Sequence, residues 1–358
     1  MTPSDAGDLR FLEITRWLAE DLGFAGSPVV PASSDASFRR YFRVTRAGES
    51  YIVMDAPPEK ESLGPYLRVA AMLAASGLNV PRVLALHEAR GLVLISDLGS
   101  RQYLDALAQG EDVERLYADA LDALLVMQSM RRPFASELPA YDRALLMREM
   151  ELLPEWFLRR HLRLDIGRAE RAMLDRLFEQ LLQSALAQPA TFVHRDYHSR
   201  NLMIADQANP GILDFQDAVV GPLTYDLVSL LRDCYIAWPR HRVRAWALGY
   251  RRRLLERGFA LAAGEEQFMR WFDMMGLQRH IKVLGIFCRL NYRDRKSQYL
   301  ADLPRVLDYL RAVAAAHPET GEFAEFITSR IDGQFEQAQA RALAQARAEA
   351  QPQARAPS

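Results

Sequence analysis

The chain has 358 residues, of which 49% are hydrophobic and 25% charged, and its formal net charge is −1. This profile is typical of a globular protein with two lobes or two packed units, and it gives no reason to expect nucleic acid or an anionic membrane as a partner. Its two cysteines are too few for a disulfide framework or a zinc site. Residues 1–10 lack the features of a signal peptide, and no apolar run approaches the roughly 20 residues of a transmembrane helix. We therefore expect a cytoplasmic protein.

The N-terminal part predicts a helix followed by a hairpin. Apolar residues near helical spacing indicate a helix over residues 9–22. Two strand-like runs then flank a small polar turn that contains Ser33, Ser34, Asp35 and Ser37. A hairpin of small residues lying over a nucleotide would let backbone N–H groups approach its phosphates. An ordinary hairpin turn would have the same composition, so the segment alone does not decide between the two.

Residues 51–54 predict a strand that contains no lysine or arginine. In protein kinases the equivalent strand carries a lysine that holds the α- and β-phosphates of the nucleotide. Here the segment continues into Met54, Asp55 and two prolines, and Lys60 comes only after them. Either another cation such as Lys60 or Arg40 replaces the lysine, or Mg²⁺ carries more of the charge.

A helix over residues 63–76 and two strands over 83–86 and 91–95 complete the first part of the chain. The second strand is fully apolar, and it runs into a linker that contains Asp97 and Leu98. In a kinase the backbone of this linker would meet the adenine edge, whereas a plain domain linker is the alternative. We place the boundary between lobes here, so that residues 1–98 form the nucleotide-binding lobe.

From residue 104 onward the pattern is mainly helical, and strands return only near residues 191–226. Strands first and helices second indicate an α+β fold and not alternating βαβ units. Residues 99–332 should form a catalytic and substrate lobe. Residues 333–358 are rich in Ala, Gln and Arg without an apolar stripe, which predicts a fraying helix and a partly disordered end.

Residues 191–226 carry the strongest chemical signal in the chain. The kinase pattern H-R-D-x-x-x-x-N is matched by His194, Arg195, Asp196 and Asn201, and Asp214 follows a later apolar run. Phosphoryl transfer needs a group that accepts or orients the proton of the attacking hydroxyl, and oxygen ligands for Mg²⁺. A hairpin whose turn residues happen to be Asp and Asn is the alternative, but four matches in register favour the kinase interpretation. Asp196 is therefore the candidate base, and Asn201 and Asp214 are the candidate metal ligands.

A basic segment near residues 279–296 is a candidate substrate wall. On one continuous helix Lys282, Arg289, Arg293 and Lys296 would form a single cationic stripe. Such a stripe is often a solvated face. Arg289, however, is embedded among apolar residues, and a cation in that setting should face a partner or a cleft.

The central block resembles the aminoglycoside phosphotransferase and choline kinase family. The resemblance rests on HRDYHSRN at residues 194–201, ILDFQ at 212–216, GP at 221–222 and YDL at 225–227. It covers about residues 30–300. The segments VMDAPPEKE at residues 53–61 and QRHIKVLGIF at residues 278–287 are similar to those of the bacterial anomeric sugar kinases that phosphorylate N-acetylmuramate and N-acetylglucosamine in cell-wall recycling.

The resemblance implies a bilobal protein-kinase-like fold with a small, mainly antiparallel β lobe and a larger helical lobe. It implies ATP and Mg²⁺, a small amino-sugar substrate and a product phosphorylated on its anomeric oxygen. It implies that Asp196 orients the sugar hydroxyl, that Asn201 and Asp214 hold Mg²⁺, and that His194 and Asp226 brace the loop. Further substrate contacts are expected from Gln216, Gln278 and Arg289, with Arg289 as the candidate partner of the lactyl carboxylate. We expect a monomer.

Two other interpretations stay open from the sequence. The same fold could act on another small alcohol, such as an aminoglycoside, choline or a hydroxylated amino acid, although a basic wall disfavours cationic substrates. A nucleotide-binding pseudokinase would explain the missing lysine, but it gives no reason for Asp196, Asn201 and Asp214 all to be present.

Overall fold

The computed structural model describes residues 8–34, 38–130 and 134–350. The chain divides into two compact units. Unit 1 contains Met1–Met127 and Arg200–Ala218, and unit 2 contains Gln128–Ser199 and Val219–Ser358. This division differs from the predicted boundary at residue 98, because two helices and a later hairpin also belong to unit 1.

Unit 1 is built on a five-stranded antiparallel sheet with the order β1-β2-β3-β5-β4. Its strands are β1 (Val29–Ser34), β2 (Arg40–Arg46), β3 (Glu49–Asp55), β4 (Val83–His87) and β5 (Leu92–Ser96). Its helices are α1 (Leu9–Glu20), α2 (Leu63–Ala75), α3 (Tyr103–Ala108) and α4 (Val113–Gln128), the last of which reaches the unit boundary. The predicted order of elements in this part of the chain is confirmed.

Helix α1 covers part of the sheet. The Asp8 side chain caps the helix by accepting hydrogen bonds from the backbone N–H groups of Arg10 and Phe11, at 3.0 and 3.2 Å. The buried face of α1 carries Ile14, Trp17 and Leu18, and these residues join one apolar core with side chains of β2, β3 and β5. Burial of this face provides most of the attachment of the helix to the sheet.

A short hairpin also belongs to unit 1. Strands β7 (Leu202–Met203) and β8 (Gly211–Ile212) pair with each other, and single bridges join them to Gln102 and Asn79. In the loop between the two strands, the Asn209 side chain donates hydrogen bonds of 2.7 Å to Tyr103 and to Asp119. These contacts explain why residues 200–218 group with the N-terminal sheet.

Unit 2 is mainly helical and contains one pair of antiparallel strands, β6 (Ala190–Val193) and β9 (Val219–Pro222). Its helices are α5 (Phe134–Glu137), α6 (Arg143–Met150), α7 (Arg168–Leu186), α8 (Tyr225–Leu231), α9 (Arg240–Glu256), α10 (Glu265–Tyr292), α11 (Leu303–Ala314), α12 (Gly321–Phe326) and α13 (Asp332–Ala350). Two π-helical segments lie at Leu153–Leu162 and Ile327–Ile331, and single 3₁₀ turns lie at Glu88–Arg90 in unit 1 and at Ser297–Asp302 and Pro318–Thr320 in unit 2. The 28-residue helix α10 packs against α6, α7, α8, α9 and α11 and forms the centre of the unit.

The C-terminal segment departs from its predicted character. Helix α13 extends from Asp332 to Ala350, and Phe335, Ala338 and Ala342 on it are buried. These residues recur at three- and four-residue spacing, so the prediction that the segment has no apolar stripe is wrong. Small alanine side chains form part of that stripe and allow close packing. The predicted disorder of residues 351–358 lies outside the described residues.

The predicted α+β class is confirmed: strands dominate the sheet of unit 1 and helices dominate unit 2. Among the described residues, none of the helices combines the length and the apolar character that crossing a membrane requires.

Candidate active site

Three predicted site residues of unit 1 lie together, one directly before strand β7 and two just after strand β8. The Asn201 side-chain nitrogen donates to one Asp214 carboxylate oxygen at 3.3 Å, and Gln216 donates to the other at 2.6 Å. The backbone N–H of Leu213 donates to the carbonyl of Asn201 at 2.9 Å, which holds the two segments side by side. Asp214 itself adopts a left-handed backbone conformation with φ = 61°. We refer to Asn201, Asp214 and Gln216 as the Asp214 cluster.

The Asp214 cluster has the chemistry of a magnesium site. Mg²⁺ prefers hard oxygen ligands and is commonly held by one or two carboxylates together with substrate phosphates. Asp214 offers a carboxylate. The Asn201 side chain, whose nitrogen donates to that carboxylate, also carries an amide oxygen that can bind a metal. The residues present therefore fit the metal that the sequence predicts.

An aromatic pair connects the Asp214 cluster to helix α2. The ring of Phe215, which is fully buried, stacks on the ring of Tyr66 with centroids 5.1 Å apart and planes 29° apart. The Tyr66 hydroxyl is buried and has no hydrogen-bond partner within the described part of the chain. The pair ties the loop that carries Asp214 to the helix beside the sheet.

In unit 2 the loop after strand β6 is fixed by a buried carboxylate. Asp226 accepts hydrogen bonds from the backbone N–H groups of His194, at 2.6 Å, and Arg195, at 3.0 Å. Arg195 has a left-handed conformation with φ = 78°, so the chain turns sharply just before Asp196. Burial raises the pKa of the Asp226 carboxyl to about 7, although the two backbone donors oppose this shift. The geometry agrees with the bracing role that the resemblance implies for Asp226.

Asp196 is surrounded by positive charge. Burial alone would raise the pKa of its carboxyl, but the basic side chains around it hold the pKa below the ordinary value. In order of effect, these side chains are Lys282, His198, Arg279 and Arg195. Asp196 is consequently ionised at neutral pH, as a group that accepts a proton must be.

A second buried acid, Glu149 on α6, organises two of these cations. Its carboxylate lies 2.5 Å from an Arg195 nitrogen and 2.9 Å from the Lys282 ammonium, and the Tyr141 hydroxyl also donates to it. The Lys282 ammonium donates further to the Tyr225 hydroxyl at 3.0 Å. We refer to Glu149, Arg195, Lys282, Tyr141 and Tyr225 as the Glu149 network.

The sequence analysis did not identify Glu149. A signal was present, because Glu149 lies three residues after Leu146 and directly before Met150, both of which are buried. An acid beside buried apolar residues of a helix indicates a buried partner, and here the partners are Lys282 and Arg195.

The predicted cationic stripe is wrong, because its residues do not share one surface. Lys282 is buried in the Glu149 network, and helix α10 ends at Tyr292, before Arg293 and Lys296. Arg293 is exposed and pairs with its neighbour Asp294. Arg289 is partly exposed, and its buried Nε has no hydrogen-bond partner among the described residues.

The remaining predicted contact residues differ in their surroundings. Gln278 on α10 is fully buried, so the structure gives it no surface for a ligand in this conformation. The Asp97 carboxylate binds Arg43 at 2.5 Å and caps the backbone N–H of Gly99 at 2.9 Å. Leu98 packs beside strand β8, where a Cβ on Gly211 would lie 3.0 Å from a Leu98 methyl group.

The predicted phosphate hairpin is only partly described. Ser33 and Ser34 end strand β1, while Asp35 and Ser37 lie outside the described residues.

Comparisons with known proteins show what this chain is similar to. A model of the family described as "Phosphotransferase enzyme family" matches residues 28–271. The N-acetylmuramate/N-acetylglucosamine kinase of Pseudomonas aeruginosa is 44% identical over 91% of this chain and 98% of its own length. The protein of the same description from Neisseria meningitidis is 40% identical over 87% of this chain and 92% of its own length.

Solved structures show the same fold at low sequence identity. Plasmodium vivax ethanolamine kinase superposes with a TM-score of 0.61 at 10% identity, covering 87% of this chain and 88% of that protein. The ADP-bound aminoglycoside phosphotransferase APH(2'')-Ib superposes with a TM-score of 0.56 at 16% identity, covering 83% and 97%. The kinase-like fold that the sequence predicts is confirmed.

Proposed function

Because this chain belongs to the phosphotransferase enzyme family, we propose that it is an ATP-dependent kinase of the anomeric hydroxyl of N-acetylmuramate and N-acetylglucosamine. Relatives described by these two sugars match it over almost their full length. The observation that carries the chemistry is the position of Asp196 just after strand β6, at a turn fixed by Asp226, where the basic side chains nearby hold the pKa of its carboxyl below the ordinary value. The proposed setting is the recycling of cell-wall sugars in the cytoplasm, by a monomer.

The proposed reaction is a direct transfer of the γ-phosphoryl group. Asp196 accepts the proton of the anomeric hydroxyl while the sugar oxygen forms a bond to the γ-phosphorus of ATP. The bond from that phosphorus to the bridging oxygen breaks, and ADP leaves with the electron pair. The products are the sugar 1-phosphate, ADP and the proton, which Asp196 then releases to solvent.

Other residues of the proposed site bind the reactants. Asn201 and Asp214 hold Mg²⁺, which neutralises phosphate charge when bound. Gln216 positions Asp214 through their 2.6 Å hydrogen bond. The hairpin at Ser33, Ser34, Asp35 and Ser37 covers the phosphates, and the linker at Asp97 and Leu98 meets the base.

The charge around Asp196 favours a neutral or anionic acceptor over the alternatives. An aminoglycoside or choline would bring positive charge toward Lys282 and Arg279, whose charges already act on Asp196. A pseudokinase would need no ionised base, and the intact Asp214 cluster also disfavours it.

The first experiment measures ADP release with a panel that contains both sugars, kanamycin, choline and serine, and identifies the product by ³¹P NMR. We expect release only with the two sugars and an anomeric phosphate in the product. Asp196→Asn should lower kcat by about 10² to 10⁴ while leaving nucleotide affinity unchanged. Asp206→Asn, the same change at an exposed turn residue, is the matched control. Absence of sugar-dependent ADP release would refute the proposed function.

The second experiment tests Arg289 as the partner of the lactyl carboxylate, which N-acetylmuramate has and N-acetylglucosamine lacks. Arg289→Ala should lower kcat/KM for N-acetylmuramate by about tenfold to a hundredfold, the effect of losing one charge-assisted hydrogen bond. N-acetylglucosamine turnover should stay within about threefold of wild type, and Arg293→Ala, which removes an exposed arginine, should affect neither sugar. Equal losses for both sugars would contradict the carboxylate role.

A further inference from the structure

Strand β3 carries no cation toward the nucleotide. In kinases a lysine on the third strand holds the α- and β-phosphates and pairs with a glutamate of the following helix. Strand β3 of this chain, Glu49–Asp55, contains no Lys or Arg, and Met54 on it is fully buried. The charge of the lysine has to come from elsewhere or be dispensed with.

The two cations that the sequence suggested are engaged in other contacts. Arg40 donates to the buried Asp55 carboxylate at 3.0 and 2.8 Å and also pairs with Asp8. Lys60 is exposed, and its ammonium lies over the ring of Phe38, 4.6 Å from the centroid. Neither arrangement directs a cation toward the Asp214 cluster.

Arg39, next to Arg40, is placed differently. Tyr41 lies directly opposite Met54 in the pairing of β2 with β3, so the two side chains share one face of the sheet. Arg39 directly precedes strand β2, which begins at Arg40, and extending the alternation of the strand by one residue puts Arg39 on the same face as Tyr41. Arg39 therefore lies on the face of Met54, while Arg40 lies on the face of Asp55.

The Arg39 guanidinium is buried and paired with an acid near helix α2. It lies 3.0 Å from a carboxylate oxygen of Glu61, two residues before the helix begins, and both side chains are largely shielded from solvent. An arginine–glutamate pair thus joins the edge of β2 to the start of α2. A lysine–glutamate pair makes the equivalent connection from strand to helix in kinases.

The charges of Arg39 and Asp214 act on each other within unit 1. Burial acts to lower the pKa of Arg39, but negative charge around it outweighs burial and raises that pKa. The groups that contribute are Tyr41, Glu61, Asp217 and Asp214. The charge of Arg39 in turn acts on the buried hydroxyl of Tyr66, whose ring stacks on Phe215. Glu61 at the start of α2 pairs with the Arg39 guanidinium, and the acids of the Asp214 loop act on its charge.

We propose that Arg39, held by Glu61, binds the α- and β-phosphates of the nucleotide in place of the missing lysine. A guanidinium has five donors in a planar fork that matches phosphate oxygens, so one side chain can pair with Glu61 and still meet a phosphate. The proposal rests on the proposed use of ATP. It assigns the nucleotide clamp to the end of β2 and not to β3.

The test compares MgADP with adenosine, which shares the base and sugar but has no phosphate, by isothermal titration calorimetry. Arg39→Gln should weaken MgADP binding by about tenfold to a hundredfold and leave adenosine affinity unchanged. Arg39→Lys, which keeps the charge but loses the fork, should be weakened less. Glu61→Gln should weaken MgADP less than Arg39→Gln does, because it frees the guanidinium from its anchor without removing it. Lys60→Gln, the control, should bind both ligands as wild type does.

The outcomes separate two failures. If wild type binds MgADP no more tightly than adenosine, the proposed use of a nucleotide fails. If wild type discriminates between them and Arg39→Gln discriminates equally well, the assignment of Arg39 is overturned. An equal loss of both ligands in Arg39→Gln and in Arg39→Lys would also overturn it, since it would indicate a structural role.

Discussion

The Glu149 network allows a quantitative test of how the loop that carries Asp196 is supported. Replacing Glu149 by Gln keeps the shape of the side chain but removes the negative charge between the Arg195 guanidinium and the Lys282 ammonium. The two cations lie 2.5 and 2.9 Å from the carboxylate, and Glu149 and Lys282 are both more than 90% buried. Removing one partner of such a buried pair leaves uncompensated charge and typically costs about 3–5 kcal/mol. We expect Glu149→Gln to lower the free energy of unfolding by that amount.

The effect should shrink when one of the cations is removed as well. In Glu149→Gln/Lys282→Met the buried ammonium no longer lacks a partner, so the double variant should be more stable than the sum of the two single changes predicts. A coupling of at least about 1 kcal/mol is expected for residues in direct contact. Glu155→Gln, which removes an exposed ion pair with Arg159, is the control.

Urea unfolding monitored by circular dichroism gives the free energies of unfolding of wild type, the two single variants, the double variant and the control by linear extrapolation. Additivity within about 0.5 kcal/mol would refute the reasoning, because it would mean that Glu149 and Lys282 do not share one electrostatic network.

Three further predictions follow from individual environments. Lys282→Met should move the acid limb of the pH profile of kcat/KM to higher pH, because Lys282 lowers the pKa of the Asp196 carboxyl more than the other cations do. An unmoved limb would contradict the proposed role of Asp196 as the base. Gly285→Ala should lower the free energy of unfolding by about 1–3 kcal/mol, because the added Cβ would lie 2.5 Å from the backbone carbonyl carbon of Leu152. A Cβ at Gly249 would have nothing within 4 Å, so Gly249→Ala should stabilise its helix by up to about 1 kcal/mol. Burial lowers the pKa of His161 from 6.5 to about 4. As the pH falls, the unfolded chain therefore binds a proton at this histidine before the folded chain does. About 3 kcal/mol of the free energy of unfolding should be lost between pH 6.5 and pH 4. His161→Phe should remove this part of the pH dependence in urea titrations, and an unchanged dependence would contradict it.

The sequence best predicted those features whose residues are close along the chain. Asp196, Asn201 and Asp214 are separated by short segments of the sequence, and the pairing of β7 with β8 brings Asn201 and Asp214 together. Local periodicity likewise predicted α1, α2 and the strands of unit 1. These features depend on side-chain period and turn chemistry, which a single sequence displays directly.

The parts that the sequence did not predict depend on pairing between distant segments. Glu149 lies more than 100 positions from Lys282, and the register of β2 with β3 decides which of two adjacent arginines faces Met54. A shift of one residue in that register would exchange the roles of Arg39 and Arg40. Composition and spacing cannot determine such a register, so the sequence suggested Lys60 or Arg40, whereas our proposal assigns the role to Arg39.

Two turns, one in each unit, share one backbone feature. Arg195 and Asp214 both have positive φ, a conformation that costs a non-glycine residue of order 1–3 kcal/mol unless its surroundings enforce it. At Arg195 the enforcement comes from Asp226, which accepts the backbone N–H groups of residues 194 and 195. At Asp214 it comes from Asn201, which binds both the adjacent backbone N–H and the carboxylate. Each sharp turn thus sets the direction of a carboxylate of the candidate site. One is the carboxylate of Asp214 itself, and the other is that of Asp196, next to Arg195. This explains why Asp226 and Asn201 matter for geometry as well as for any contact with substrate or metal.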